Sequence, residues 1–151
     1  MAQVTVKGLS VIKDIEEQAK EVVNEELKEH FTSMANDAID MASHGVWSGA
    51  YVKSFSFKAG NSSSRGRRVD GANWKFPEKT GSQADVEAGR NLLLGDVNAA
   101  FANNDPLAVK SYTLRNDANH AVFVEYGVAG PLGPKPENGY RIFERLRSKY
   151  G

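Results

Sequence analysis

The chain has 151 residues, 40% of them hydrophobic, with a formal net charge of zero and no cysteine. This length and apolar content suit a single domain over residues 1–151 with a core of its own. Because there is no cysteine, the sequence excludes disulfides and thiolate metal sites. It has no apolar run long enough to cross a bilayer and no basic-then-apolar leader. We therefore expect a protein made in the cytoplasm with no membrane partner.

A long acidic helix is predicted over residues 11–43, because apolar residues recur there at spacings of three and four. Ser10 is a plausible N-cap and Gly45 a plausible stop. At about 1.5 Å of rise per residue, the helix exceeds what the core of a small domain needs. We therefore expect part of it to pack on another element or subunit, or a break between Phe31 and Ser33. The apolar residues are interpreted as one continuous stripe: Val11, Ile12, Ile15, Ala19, Val22, Val23, Leu27, Phe31, Met34, Ala35, Ala38, Ile39 and Ala42.

Charge is segregated along the sequence. Residues 1–43 hold four basic and nine acidic residues, whereas residues 53–79 hold seven basic and two acidic ones. Such polarity suits head-to-tail association between copies, or a surface that presents positive charge to nucleic acid. A solvated acidic helix and a basic loop without partners fit the charge pattern equally well.

After Gly45 the apolar residues no longer recur at helical spacing. Val46 to Phe57 predicts a turn and then a strand, with β-favouring aromatic residues at Tyr51 and Phe55. Residues 58–79 predict a flexible basic loop that has too little apolar content to fold alone. Its candidate contacts for DNA or an acidic partner are Lys58, Arg65, Arg67, Arg68 and Lys75. A mobile surface loop without a partner has the same composition.

Residues 80–106 contain a predicted helix from Asp85 to Phe101. Its apolar positions have helical spacing, but Gly89 and Gly95 weaken the prediction.

A β-hairpin is predicted between Ser111 and Gly127. Tyr112 and Leu114 would share one face of its first strand. Turn-forming residues follow from Asn116, and a second strand would place Val122 and Val124 on one face.

In that second strand, alternation puts Phe123 and Glu125 on the outer face. A neighbouring subunit would cover them, with an arginine as the partner of Glu125. The alternative is a helix of the same chain, acting through Arg141 or Arg145.

The remaining residues predict an arm and a helix. Residues 128–139 are rich in proline and glycine and indicate an extended arm or irregular loop. Tyr140 to Tyr150 returns to helical spacing, with basic residues on the opposite face from the apolar ones. This short helix is expected to dock on its own subunit or on the next one.

Two short patterns occur in a fixed order along the chain. The first contains Ser48, Gly49, Tyr51 and Ser54, and the second contains Asn116, His120, Ala121, Val124, Glu125, Tyr126 and Gly127. In type, spacing and order they resemble a family of tailed-bacteriophage head-to-tail joining proteins, the neck or tail-completion proteins, which are related in fold to tail terminators. The order of elements is similar over most of the chain, although the family's connection is shorter where residues 80–106 stand. Those residues are interpreted as an insertion, so positions between Lys58 and Lys110 are not transferred. The resemblance implies that such an insertion either reaches a neighbouring molecule or covers an otherwise exposed sheet.

The resemblance implies a structural virion protein that acts without a cofactor. It implies a ring of six copies between the head connector and the tail, with DNA passing through the centre, assembled in the host cytoplasm. The expected fold is α+β: a long N-terminal helix packed on a mostly antiparallel sheet, with a short C-terminal helix. The predicted subunit or partner interface comprises Phe123, Glu125, Tyr126, Arg141 and Arg145.

Two other classes of function remain open on the sequence. One is a small nucleic-acid-binding module that uses the basic loop. The other is a hydrolase in which His120, between Asp117 and Glu125, acts as a general base. The sequence contains no zinc-ligand spacing, phosphate-binding glycine loop or nucleophile elbow, and we expect neither catalytic nor metal-binding residues.

Overall fold

The computed structural model describes residues 2–43, 49–60, 66–69, 81–118, 121–126 and 139–151. For residues 2–12, 122 and 123, it describes the backbone but not the side chains.

The described residues form five helices and two strands. The helices are α1 (Ala2–Ser43), α2 (Ala50–Lys53), α3 (Gln83–Ala102), α4 (Ala121–Tyr126) and α5 (Ile142–Tyr150), and the strands are β1 (Phe55–Ala59) and β2 (Tyr112–Asn116). The strands pair antiparallel, with Phe55 opposite Asn116 and Ala59 opposite Tyr112. The fold is therefore α+β, with a long N-terminal helix, a two-stranded sheet and a short C-terminal helix.

Helix α1 is longer than predicted and unbroken. It begins at Ala2, so Ser10 lies inside the helix and is not its N-cap. It also continues through residues 31–33, so the predicted break there is wrong. No proline interrupts residues 2–43, and without such a residue nothing forces the helix to stop. The predicted stop at Gly45 lies outside the described residues.

The apolar residues of α1 do not form one straight stripe. From Val11 to Ile39 an apolar residue occurs at every fourth position. In a helix of 3.6 residues per turn each step of four advances about 40°, so Ile15 and Ala35 face about 160° apart. Ala35 is buried, whereas the side chains of Ile15 and Val22 are 60% and 54% exposed. The predicted stripe thus divides into a core face and an exposed face.

Helix α3 confirms the prediction for residues 85–101 and runs antiparallel to α1. Arg90 donates hydrogen bonds to Asn36 (2.8 Å) and Asp40 (2.5 Å), while farther along the pair the rings of Phe101 and Phe31 lie 6.1 Å apart. The helix packs on both α1 and β1. Its buried side chains are Val86, Leu93, Val97, Ala100 and Phe101. The segment interpreted as an insertion therefore supplies a large part of the core.

The two glycines of α3 have different environments. A Cβ atom at Gly89 would lie 2.5 Å from the carbonyl oxygen of Val52, whereas one at Gly95 would meet no heavy atom within 4 Å. Gly89 is thus required by the close approach of α2, which outweighs its weak helix propensity.

Two parts of the chain that the sequence predicts as strand are helical. Tyr51 lies in α2, one turn before β1, and not in the strand itself. The second strand of the predicted hairpin is wrong as well, because residues 121–126 form α4. Val122 and Val124 favour a strand by propensity, but strand propensity yields readily to tertiary contacts. Here the carbonyl oxygens of Val124 and Glu125, left open at the end of α4, accept hydrogen bonds from the N–H groups of Tyr140 (2.9 Å) and Arg141 (3.0 Å).

Helix α5 confirms the predicted C-terminal helix and docks on its own chain. Ile142 and Leu146 are buried in the core. At the end of the helix, Lys149 and Tyr150 each approach the Asp37 carboxylate of α1 to 2.5 Å. Among the described residues, no helix combines the length and hydropathy that crossing a bilayer requires.

Candidate subunit interface

The two sequence patterns that carry the resemblance meet in space. Asn116, in the second pattern, donates a hydrogen bond from its side-chain amide to the carbonyl oxygen of Tyr51, in the first (2.8 Å). The Asn116 side-chain oxygen accepts from the N–H of Ala118 (3.0 Å), which fixes the turn after β2. Since these segments lie 65 residues apart in sequence, one asparagine joins the end of β2 to the helix before β1.

Gly49 and Ser54, both in the first pattern, have structural roles. Gly49 precedes α2 with φ of 78°, in the left-handed region that glycine adopts without strain. The side chain of Ser54 is fully buried, and its hydroxyl accepts a hydrogen bond from the N–H of Val69 (3.3 Å). The remaining pattern residues Ser48, His120 and Gly127 lie outside the described residues.

Glu125 anchors the start of α5. Its carboxylate is buried and accepts hydrogen bonds from the N–H groups of Ile142 (2.9 Å) and Phe143 (2.7 Å). The first N–H groups of a helix have no partner within the helix, and a negative charge there also interacts favourably with the helix dipole. The predicted partner, an arginine side chain, is replaced by backbone of the same chain. The alternative prediction of cover by a helix of the same subunit is the one that fits.

Tyr51 lies beside this buried carboxylate. Burial raises the pKa of the Tyr51 hydroxyl far above its ordinary value, and the negative charge of Glu125 raises it further. Tyr51 therefore remains a neutral phenol at any physiological pH. The junction of Asn116, Tyr51 and Glu125 is thus a structural centre in which Tyr51 and Glu125 are buried.

The other predicted interface residues lie on the surface beside this centre. The side chain of Tyr126 is 61% exposed, although it is a large aromatic group. Arg141 has an αL backbone (φ 48°) and an exposed side chain whose ion pair with Glu144 (3.3 Å) is open to solvent. Arg145 is exposed one turn later. The side chain of Phe123 lies outside the described residues. Tyr126, Arg141 and Arg145 together are called the α4–α5 patch below.

The predicted DNA contacts are in part engaged within the chain. The Arg67 guanidinium donates to the carbonyl oxygen of Phe55 (2.7 Å) and pairs with Asp96 (2.8 Å). Asp96 in turn accepts from the N–H of Phe57, which ties this segment to α3. Lys58 and Arg68 are partly buried, and Arg65 and Lys75 lie outside the described residues. Of the three cations that the structure describes, Arg67 is therefore committed to contacts within its own chain.

The carboxylates of the hypothetical hydrolase also have structural partners. Asp117 pairs with Arg115 (2.8 Å) and accepts a hydrogen bond from the N–H of Gly66. Glu125 holds the start of α5, and His120 lies outside the described residues. In the part of the chain that the structure describes, no group of histidines and carboxylates is arranged to hold a metal ion.

The winding of the apolar residues around α1 is the feature that the sequence interpretation missed. Every residue from 13 to 22 is exposed, including two large apolar side chains. A spacing of three and four suggested one continuous stripe. The strict repeat of four residues was the signal that the stripe winds around the helix.

Comparisons with known proteins returned no match: no protein-family model, no curated protein and no solved structure resembles the chain significantly.

Proposed function

We propose that this chain is a structural component of the tailed-phage neck, a ring-forming protein that joins the head connector to the tail around the DNA channel. The proposal is supported by the meeting of the two family-like patterns at one buried junction, where Asn116 binds Tyr51 across 65 residues. The role of the junction is to hold α4 and α5 in a fixed relation, so that they present a rigid surface to a neighbour.

The distribution of charge supports association between copies. The exposed part of α1 is acidic, whereas the outer side of α5 carries Arg141, Arg145, Arg147 and Lys149. Complementary charge at different places on one molecule favours head-to-tail contacts, which close into rings when the rotation between copies allows it.

The first experiment is to measure the mass of the purified chain by light scattering across concentration, followed by electron microscopy of any oligomer. A discrete ring with an open centre is the expected result. Adding short duplex DNA distinguishes the nucleic-acid module: a monomer that binds DNA tightly at low salt and releases it at high salt overturns the neck proposal. A monomer indifferent to DNA directs the search to a connector or tail protein that templates the ring.

A further inference from the structure

The exposed half of α1 carries an apolar surface that its own domain leaves uncovered. Ile15 and Val22 lie two turns apart on one side of the helix and are more than half exposed. Glu26 and Glu29 follow Val22 by four and seven residues, so they continue the same side, and both are exposed. Ile15, Val22, Glu26 and Glu29 together are called the α1 face.

The α1 face lies away from α3. Lys20 pairs with Asp105, just beyond the end of α3, across 3.5 Å, so α3 ends on the Lys20 side of the helix. Two residues correspond to about 200° around an α-helix, which places Val22 roughly opposite Lys20. Within the described residues the α1 face is therefore open to a second molecule.

The α4–α5 patch has the complementary composition. It combines an exposed aromatic ring, Tyr126, with the guanidinium groups of Arg141 and Arg145, and tyrosine and arginine are the residues most enriched at interface hot spots. Arg141 already has a carboxylate neighbour, Glu144, but an exposed pair of this kind contributes little and is easily exchanged. Aliphatic side chains with carboxylates on the α1 face match an aromatic ring with arginines on the patch.

Within one copy, α5 reaches α1 farther along the helix than Val22. Lys149 and Tyr150 approach Asp37, which lies 15 residues or about 22 Å beyond Val22, and the ring of Tyr150 lies 5.3 Å from that of His30. The patch residues Arg141 and Arg145 lie toward the opposite end of α5, which is beside β1. A parallel pair of α1 faces from two copies would set Glu26 and Glu29 against like charges, and an antiparallel pair would set these carboxylates against the aliphatic side chains.

We propose that the α1 face of one copy binds the α4–α5 patch of the next copy. Because the two surfaces differ, one copy of a pair keeps its α4–α5 patch unused and the other keeps its α1 face, so the contact can repeat head to tail. The inference deepens the proposed function and rests on it only for the closure of this series of copies into a ring.

The test uses two charge variants of the full chain. The face variant carries Glu26→Arg with Glu29→Arg, and the patch variant carries Arg141→Asn with Arg145→Glu; asparagine suits the αL backbone at position 141. Each variant alone should self-associate about a hundredfold more weakly than the native chain in sedimentation or light scattering. In a one-to-one mixture, the arginines on the altered face of one variant can meet the altered patch of the other, and the native face of the patch variant can meet the native patch of the face variant. The mixture should therefore recover association. The control, Glu17→Arg with Glu21→Arg, makes the same charge change off the α1 face and should associate like the native chain.

A second measurement does not depend on charge variants that fold. The chain has no cysteine, so Val22→Cys and Tyr126→Cys in one chain create a single defined pair. Mild oxidation should link copies through positions 22 and 126, whereas Glu17→Cys with Tyr126→Cys should link far less.

The outcomes separate this inference from the proposed function. A ring that forms equally well from both variants, without a link between positions 22 and 126, overturns the inference and leaves the neck proposal standing. Recovery in the mixture, but only as open-ended filaments, supports the inference and counts against the closed ring. A native chain that stays monomeric at its highest soluble concentration overturns the inference.

Discussion

At the scale of single residues, Glu125 gives the sharpest test. Glu125→Gln keeps the shape of the side chain but removes the charge and sets an amide NH2 group toward an N–H donor at the start of α5. Because one buried donor then loses its acceptor, we expect the free energy of unfolding to fall by about 2 kcal/mol in urea denaturation. Glu144→Gln, in the first turn of the same helix but exposed, is the control and should change it by less than about 0.5 kcal/mol. Equal stability of the two variants would contradict the anchoring role of Glu125.

The glycines of α3 form a matched pair. Alanine normally stabilises a helix by about 1 kcal/mol relative to glycine, and Gly95→Ala should give this gain because its surroundings are open. Gly89→Ala should instead destabilise by about 1 to 3 kcal/mol, because its Cβ would clash with the backbone of Val52. Thermal or urea denaturation measures both. The close approach of α2 and α3 would be disproved if both variants were stabilised.

At the scale of elements, the division of α1 into two faces predicts unequal roles for two isoleucines. Ile39 is fully buried, so Ile39→Ala should cost about 2 to 4 kcal/mol of unfolding free energy. Ile15→Ala should change it by less than about 0.5 kcal/mol, because the side chain remains largely in solvent. Ile15→Ala should nevertheless weaken self-association. A large loss of stability at position 15 would indicate that α1 is packed there within its own domain.

The contact between α5 and α1 predicts a dependence on pH. Hydrogen bonds from Lys149 and Tyr150 lower the pKa of Asp37 below its ordinary value of 3.8, against the opposing effect of burial. A carboxylate with a lowered pKa in the folded state stabilises the fold above its unfolded-state pKa, and this contribution is lost as the pH falls through the folded-state pKa. Native protein should therefore exceed Asp37→Asn in stability near neutrality, and the difference should shrink below about pH 4. Urea midpoints measured across this range test it, and a difference that stays constant with pH would refute it.

The sequence predicts α3 and α5 well because their apolar spacing coincides with the side chains that the core buries. It fails at α4 because the groups that favour a helix there, the N–H groups of Tyr140 and Arg141, lie beyond the reach of a local pattern. Glu125 was identified as a site residue, but its partners are backbone N–H groups, which leave no signature in the sequence. The winding of α1 was present in the sequence as a strict repeat of four. The elements packed on α1, chiefly α3 and α5, decide which part of the repeat enters the core.

At the scale of the whole molecule, the described surface has two unlike ends. One carries the acidic and aliphatic residues of α1, and the other carries the arginines and exposed tyrosine beside α5. Because the net charge of each copy is zero, long-range electrostatic repulsion does not oppose the association of copies. This is the charge arrangement expected of a subunit that repeats head to tail.

The unbroken course of α1 has a further consequence for such an assembly. Because the helix is continuous between Glu29, the last residue of the α1 face, and the buried Ala35, the number of residues between them would set the angle at which a neighbour bound to the face meets the core. One added residue would rotate the α1 face by about 100° and shift it by about 1.5 Å, while both surfaces kept their own residues. The curvature of the assembly, and hence how many copies close it, would then be determined by the length of this helix as well as by the chemistry of the contact.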